Sequence, residues 1–134
     1  MNSKPYKPSR PVYILSAGSV TGQKEKRGPL GQCFDLSGDD RFGKESWEKA
    51  ECKMLTYAVR KAIENGGFTE EDVDLFVSGD LLNQIISASF TARDFDFPFL
   101  GVYSACATMA ESLAVAATLI DSGHAQRVVA ATGS

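Results

Sequence analysis

The segment 107–122 constrains this chain more than any other stretch. Its apolar residues, Ala107, Met109, Ala110, Leu113, Ala114, Val115, Ala116, Ala117, Leu119 and Ile120, cover most of the circumference of a helix. A surface helix carries one apolar stripe, whereas a helix apolar all round is buried all round. Glu111 interrupts the run, which falls short of the ~20 residues a membrane span needs. The segment is therefore expected to be an interior helix between two sheets, its alanines allowing close approach. The strands readable in this chain cannot cover both of its faces, so another domain or subunit is expected to pack on it.

Immediately upstream, the apolar run 97–103 reads as a buried strand that breaks at Ser104-Ala105-Cys106-Ala107-Thr108 and restarts as that helix. A strand that turns sharply into a helix leaves the turn's side chain at the helix N-terminus. Unpaired N–H groups and roughly half a positive charge there favour a thiolate or an incoming anion. Cys106 is thus a nucleophile, part of an anion-binding pocket, or a small residue filling a tight turn.

The remaining pattern is that of an α/β protein. Residues 1–10 are polar and proline-rich and read as a loose arm, with the folded half-domain spanning 11–134. A short buried strand is expected at 12–15, followed by a glycine-rich connection over 18–45, with Gly28-Pro29-Leu30-Gly31 as a plain turn. A connection that long is uncommon in a compact domain and usually reflects function or packing. From 47 to 65, Trp47, Ala50, Met54, Leu55, Ala58, Val59, Ala62 and Ile63 form a single helical stripe, with Ser46 as N-cap and Gly66-Gly67 as the stop. Trp47 and Cys52 are assigned to core or boundary packing. Thr69 and Asp72 suggest a capping box ahead of a strand at 73–77. Ser78-Gly79-Asp80-Leu81-Leu82-Asn83-Gln84 then opens a helix to about residue 94 at the strand end where α/β sheets bind ligands. Gly123 ends the apolar helix, and 127–131 is the last strand. The alternation β-α-β-α-β-α-β predicts a mainly parallel sheet. The sequence stops directly after a strand, so it reads as a piece of a longer protein, truncated before its next strand.

Composition narrows the function classes. Hydrophobic residues make up 43% and charged residues 23%, enough for a core, so disorder is excluded. A net charge of -3 gives no electrostatic reason to expect nucleic acid. Three cysteines, Cys33, Cys52 and Cys106, lack metal-ligand spacing and form an odd set, which argues for a reducing compartment and against a disulfide framework. Neither a metal nor a cofactor is implied. No charged-then-apolar leader precedes Pro11, and the chain is expected to be soluble.

The strand, cysteine turn and alanine-rich helix resemble the thiolase-like condensing-enzyme fold. In that family two similar halves stack as αβαβα, and this chain would be the first half only. A narrower resemblance rests on Lys24-Glu25-Lys26, Gly28-Pro29-Leu30-Gly31, Phe34-Asp35, Gly79-Asp80-Leu81-Leu82-Asn83-Gln84 and Ala105-Cys106-Ala107-Thr108-Met109-Ala110-Glu111-Ser112. These motifs are similar to those of the stage V sporulation AD proteins, a family of endospore-forming bacteria. The resemblance implies binding of dipicolinic acid (pyridine-2,6-dicarboxylate), free or as its calcium chelate, and uptake of that compound into the developing spore. It also implies action with other proteins of the same operon and a cytoplasmic location, peripheral to the spore inner membrane through those partners. The fold family commonly dimerises through the strand placed at 97–103, which makes a homodimer the expected assembly.

Two chemistries compete at Cys106. As a condensing-enzyme acyl acceptor it needs a base or donor near the sulfur. The single histidine, His124, lies past the far end of the helix, roughly 24 Å away at ~1.5 Å per residue. In condensing enzymes the partners come from the second half, so this chain alone is expected to be inactive. As a binding site, the helix N-terminus attracts carboxylates, with Cys106, Ser104, Ala107, Thr108 and Asn83 as the ligand-binding residues. Asp80 would repel a dianion and is given a structural or metal-bridged role.

Overall fold

The computed structural model describes residues 5 and 7–133. In chain order the elements are β1 (Val20–Thr21), α1 (Gln23–Lys26), β2 (Leu36–Ser37), α2 (Trp47–Asn65), β3 (Leu75–Gly79), α3 (Ile86–Ala92), β4 (Phe99–Gly101), α4 (Thr108–Asp121) and β5 (Val128–Thr132). The central sheet has the order β4-β3-β5, with both pairings parallel. Phe76 pairs with Phe99 on one side and with Val129 on the other. Both neighbours thus reach β3 by helical crossovers, as the alternation predicts.

Local signals placed the helices closely. The Ser46 side chain accepts the Lys49 N–H at 3.3 Å and starts α2. At its other end Gly67, with φ +71°, takes a left-handed conformation that a Cβ would penalise. Thr69 and Asp72 form the expected capping box, and bonds from the Thr69 N–H and then its hydroxyl hold the Asp72 carboxyl below its usual range. The α2 stripe supplies Val59 and Ile63 to a core with Val73, Phe76, Phe95 and Phe97. The Phe95 and Phe97 rings stack at 4.9 Å, with Phe76 edge-on to both.

Two strands differ from the apolar runs that announce them: the run 73–77 is shifted by two residues to Leu75–Gly79, and 97–103 contracts to Phe99–Gly101. Flanking bonds from Phe76 N–H to Pro98 O and from Val102 N–H to Ser78 O extend the second ladder.

Four expectations need correction. Segment 12–15 is not a buried strand: no described strand pairs with it, and Tyr13, Ile14 and Leu15 are 74%, 79% and 61% exposed. An apolar run states what a segment would bury, while pairing needs a free neighbouring edge in register. Trp47 is no core residue; it lies on the surface with the Arg41 guanidinium 5.0 Å above its ring, a contact that cation–π attraction favours outside the core. The arm is not loose at its end, because Ser9 and Arg10 are fastened to α4. Ser9 donates its N–H and hydroxyl to the Asp121 carboxylate at 2.8 and 2.6 Å, the Arg10 N–H adds a third bond, and its guanidinium reaches Ile120 O. Residues 1–4 and 6 of that arm lie outside the described set. The connection 18–45, finally, contains a parallel β1–β2 pair and runs against α2.

Within the described residues α4 is enclosed on one side only. Thr108, Ser112 and Ala116, spaced four apart, are buried toward the sheet, while Met109 and Leu113 are 41% and 40% exposed. No described residue covers the outer face of α4.

Candidate ligand-binding turn

Parallel pairing brings the C-terminal ends of β3 and β4 side by side, so the turns that follow them are neighbours. After β3 the chain passes Asp80 and Asn83 into α3; after β4 it passes Ser104 and Cys106 into α4. Gly79 makes the close approach possible. A Cβ there would stand 1.9 Å from Val102 O and 2.9 Å from the Thr108 methyl.

Asp80 has the structural role expected of it. It is 4% exposed, and its carboxylate accepts the Ser87 N–H at 2.7 Å and the Ala88 N–H at 2.8 Å. These are N–H groups at the start of α3, where a negative charge is stabilised. Ile85, just before α3, is held at φ +53°, an uncommon conformation for a β-branched residue. The Ser87 hydroxyl in turn donates to Glu51 on α2 at 2.9 Å. The 80–85 turn is thus anchored at its base while Asn83, exposed and without a hydrogen bond to the described residues, stands at its tip.

The cysteine turn is built around Ala105, a left-handed residue at φ +47°. A single 3-10 turn, Ala105–Ala107, then leads into α4 at Thr108. The Ala107 N–H bonds Ser104 O at 2.9 Å, but the N–H groups of Ala105 and Cys106 find no acceptor among the described residues. Left-handed and helical residues in succession direct neighbouring N–H groups toward an anion. The Cys106 thiol is free, and Ser104, Cys106 and Ala107 are all exposed.

Thr108 differs from the other predicted site residues. It is 1% exposed and its hydroxyl is engaged within the turn. It donates to Ala105 O at 2.7 Å, accepts the Ser104 N–H at 3.2 Å, and lies 3.4 Å from Asp80 O. The structure therefore brings Ser104, Cys106 and Ala107 to one exposed turn, places Asn83 on the adjacent one, and puts Thr108 beneath. His124 lies beyond the C-terminal end of α4, its Nδ1 2.7 Å from the Ser122 hydroxyl. Two surface concavities, both along α2, include neither Cys106 nor Asn83. One residue was overlooked as more than an interruption: Glu111, the lone charge of the apolar run, has a buried carboxylate oxygen with no partner among the described residues.

A parallel α/β sheet with a cysteine at the head of an alanine-rich helix defines the class, the thiolase-like condensing-enzyme fold. The 3-oxoacyl-(acyl carrier protein) synthase III, FabH, of Xanthomonas oryzae pv. oryzae superposes with a TM-score of 0.57, 19% identity, and 84% of this chain against 40% of that one. The priming β-ketosynthase of the R1128 polyketide pathway gives 0.55 and 20% identity, over 92% of this chain and 42% of the other. At such identities the likeness is one of fold. Within that class the chain belongs to the stage V sporulation protein AD family, whose family model matches residues 3–134. The stage V sporulation protein AD of Bacillus subtilis (strain 168) is 44% identical over 125 residues, 92% of this chain. The chain spans 37% of that relative's length.

Proposed function

We propose that this sporulation-family chain contributes the dipicolinate-binding turn of a protein that takes part in dipicolinate uptake into the developing spore. The observation that carries the reading is the pair of N–H groups at Ala105 and Cys106 that have no acceptor among the described residues, on an exposed turn heading α4. A planar dicarboxylate suits such a place. One carboxylate takes the two N–H groups and the Ser104 hydroxyl, and Asn83 on the neighbouring turn donates to the other. The small side chains of Cys106 and Ala107 let the ring approach the backbone. Partner proteins from the same operon, a homodimer, and a peripheral position at the spore inner membrane belong to the same proposal. No helix among the described residues is long and apolar enough to cross a membrane.

Titration of the full-length protein with dipicolinate, with and without calcium, tests this by calorimetry. Cys106→Ala should weaken binding by roughly two- to fivefold, since the N–H donors remain, and Cys106→Trp should abolish it by filling the site. Unchanged affinity in Cys106→Trp would remove the turn from the site. Incubation with an acyl thioester and mass spectrometry of Cys106 separates this reading from acyl transfer, which needs a base that His124 cannot supply from the far end of α4.

A further inference from the structure

The Thr108 hydroxyl is where the exposed turn meets the interior, and its bonding limits what it can do for a ligand. A threonine hydroxyl has one proton and two lone pairs. Here the proton goes to Ala105 O at 2.7 Å and a lone pair takes the Ser104 N–H at 3.2 Å, at a position 1% exposed. A carboxylate only accepts hydrogen bonds, so a hydroxyl whose proton is committed inside the turn has nothing to offer it. What the two bonds do instead is bracket Ala105, whose left-handed φ of +47° is unfavourable for a residue with a Cβ. Asp80 O, 3.4 Å from the same hydroxyl, follows the strand whose outgoing turn the Asp80 carboxylate anchors at Ser87 and Ala88.

We propose that Thr108 is a positioning residue: its hydroxyl locks Ala105 in the left-handed conformation and so keeps the N–H groups of Ala105 and Cys106 clear of the chain. This deepens the dipicolinate reading and rests on it for the identity of the ligand. The locked turn also sets how the Cys106 thiol is presented, which can be read without any ligand.

The test uses the full-length protein with Thr108→Val, Thr108→Ser and the double variant Ala105→Gly, Thr108→Val. Two quantities are measured: the dipicolinate Kd by calorimetry, and the rate of Cys106 alkylation by iodoacetamide, resolved by peptide mass spectrometry. Valine keeps the shape and removes the bonds, so Kd should rise about tenfold and the alkylation rate should change by about threefold or more. Serine restores the hydroxyl and should retain most of the affinity and the wild-type alkylation rate. Glycine adopts the left-handed conformation without steric cost, so the double variant should recover much of what valine alone loses. Wild-type behaviour of Thr108→Val in both measurements overturns the proposal, as does a serine variant as impaired as the valine one. If wild type binds no dipicolinate, the ligand reading falls and the alkylation arm still decides the role of Thr108. If Thr108→Val fails to fold, the serine and double variants decide it.

Discussion

Helices α2 and α4 cover opposite faces of β3 and are built in opposite senses. Phe76 lies in the cluster that holds Val59 and Ile63 of α2, whereas Gly79 abuts Thr108 of α4; odd and even strand residues face opposite ways. On α2 Leu55, Val59 and Ile63 point inward, while Trp47 at its first turn and charged residues such as Lys49, Arg60 and Lys61 face solvent. On α4 the inward residues are small, Thr108, Ser112 and Ala116, while Met109 and Leu113 face outward. The first helix is finished by this chain. The second leaves its outer face uncovered by the described residues, and at its head it presents the cysteine turn. The structural helix and the candidate functional helix differ because one closes a core and the other keeps a face and an N-terminus available.

Substitutions can break or sharpen that contrast. The largest effect is expected on the closed side: Phe76→Ala, at a residue with 0% exposure, should lower stability by about 3–5 kcal/mol in urea unfolding. Leu113→Ala is the diagnostic mutation of the open side. In this chain alone it should cost about 0.5 kcal/mol or less, and in a chain of the relative's full length about 2 kcal/mol or more. Equal small effects in both would mean that the outer face of α4 is a true surface. Ser46→Ala, which removes the α2 cap, should cost about 1 kcal/mol and leave the proposed dipicolinate binding untouched.

The smallest effect concerns the tether on α4. The Ser9 hydroxyl, then the Ser9 and Arg10 N–H groups, lower the folded-state pKa of Asp121. A depressed carboxyl contributes stability that is present above its unfolded pKa, about 3.9, and lost as pH falls through the lower folded value. The protection factors of the residue 9 and 10 amides, taken relative to intrinsic exchange at each pH, should therefore fall in acid below about pH 4, and Asp121→Asn should show lower protection already at neutral pH. Acid-insensitive protection at these residues would show that the tether contributes nothing.

How much was legible beforehand follows the range of the interactions. The Ser46 cap, the Thr69–Asp72 box, the Gly67 and Gly123 stops and the α2 stripe are contacts within a few residues, and each could be read directly. Asp80 could be assigned a structural role because a carboxylate ahead of a helix meets unpaired N–H groups wherever it occurs. The misreadings at 12–15, at Trp47 and at the Ser9–Arg10 tether depend on partners remote in the sequence, or on the lack of one beside the segment. At the candidate site the residue types in 104–108 marked the turn, but they did not distinguish Ser104, which is exposed, from Thr108, which is buried. Both carry the same functional group, and only burial and the bonds to Ala105 separate them.

The order of residues by itself determined the α/β alternation, the parallel sheet, the helix ends and the position of the cysteine at the head of α4, because periodicity, capping and turn chemistry act over one or two turns of chain. Tertiary structure alone decided which face of α4 is covered, whether an apolar run finds a strand to pair with, and which hydroxyl of the turn remains free. Those outcomes depend on what a distant segment brings within hydrogen-bonding distance, and no local pattern encodes it.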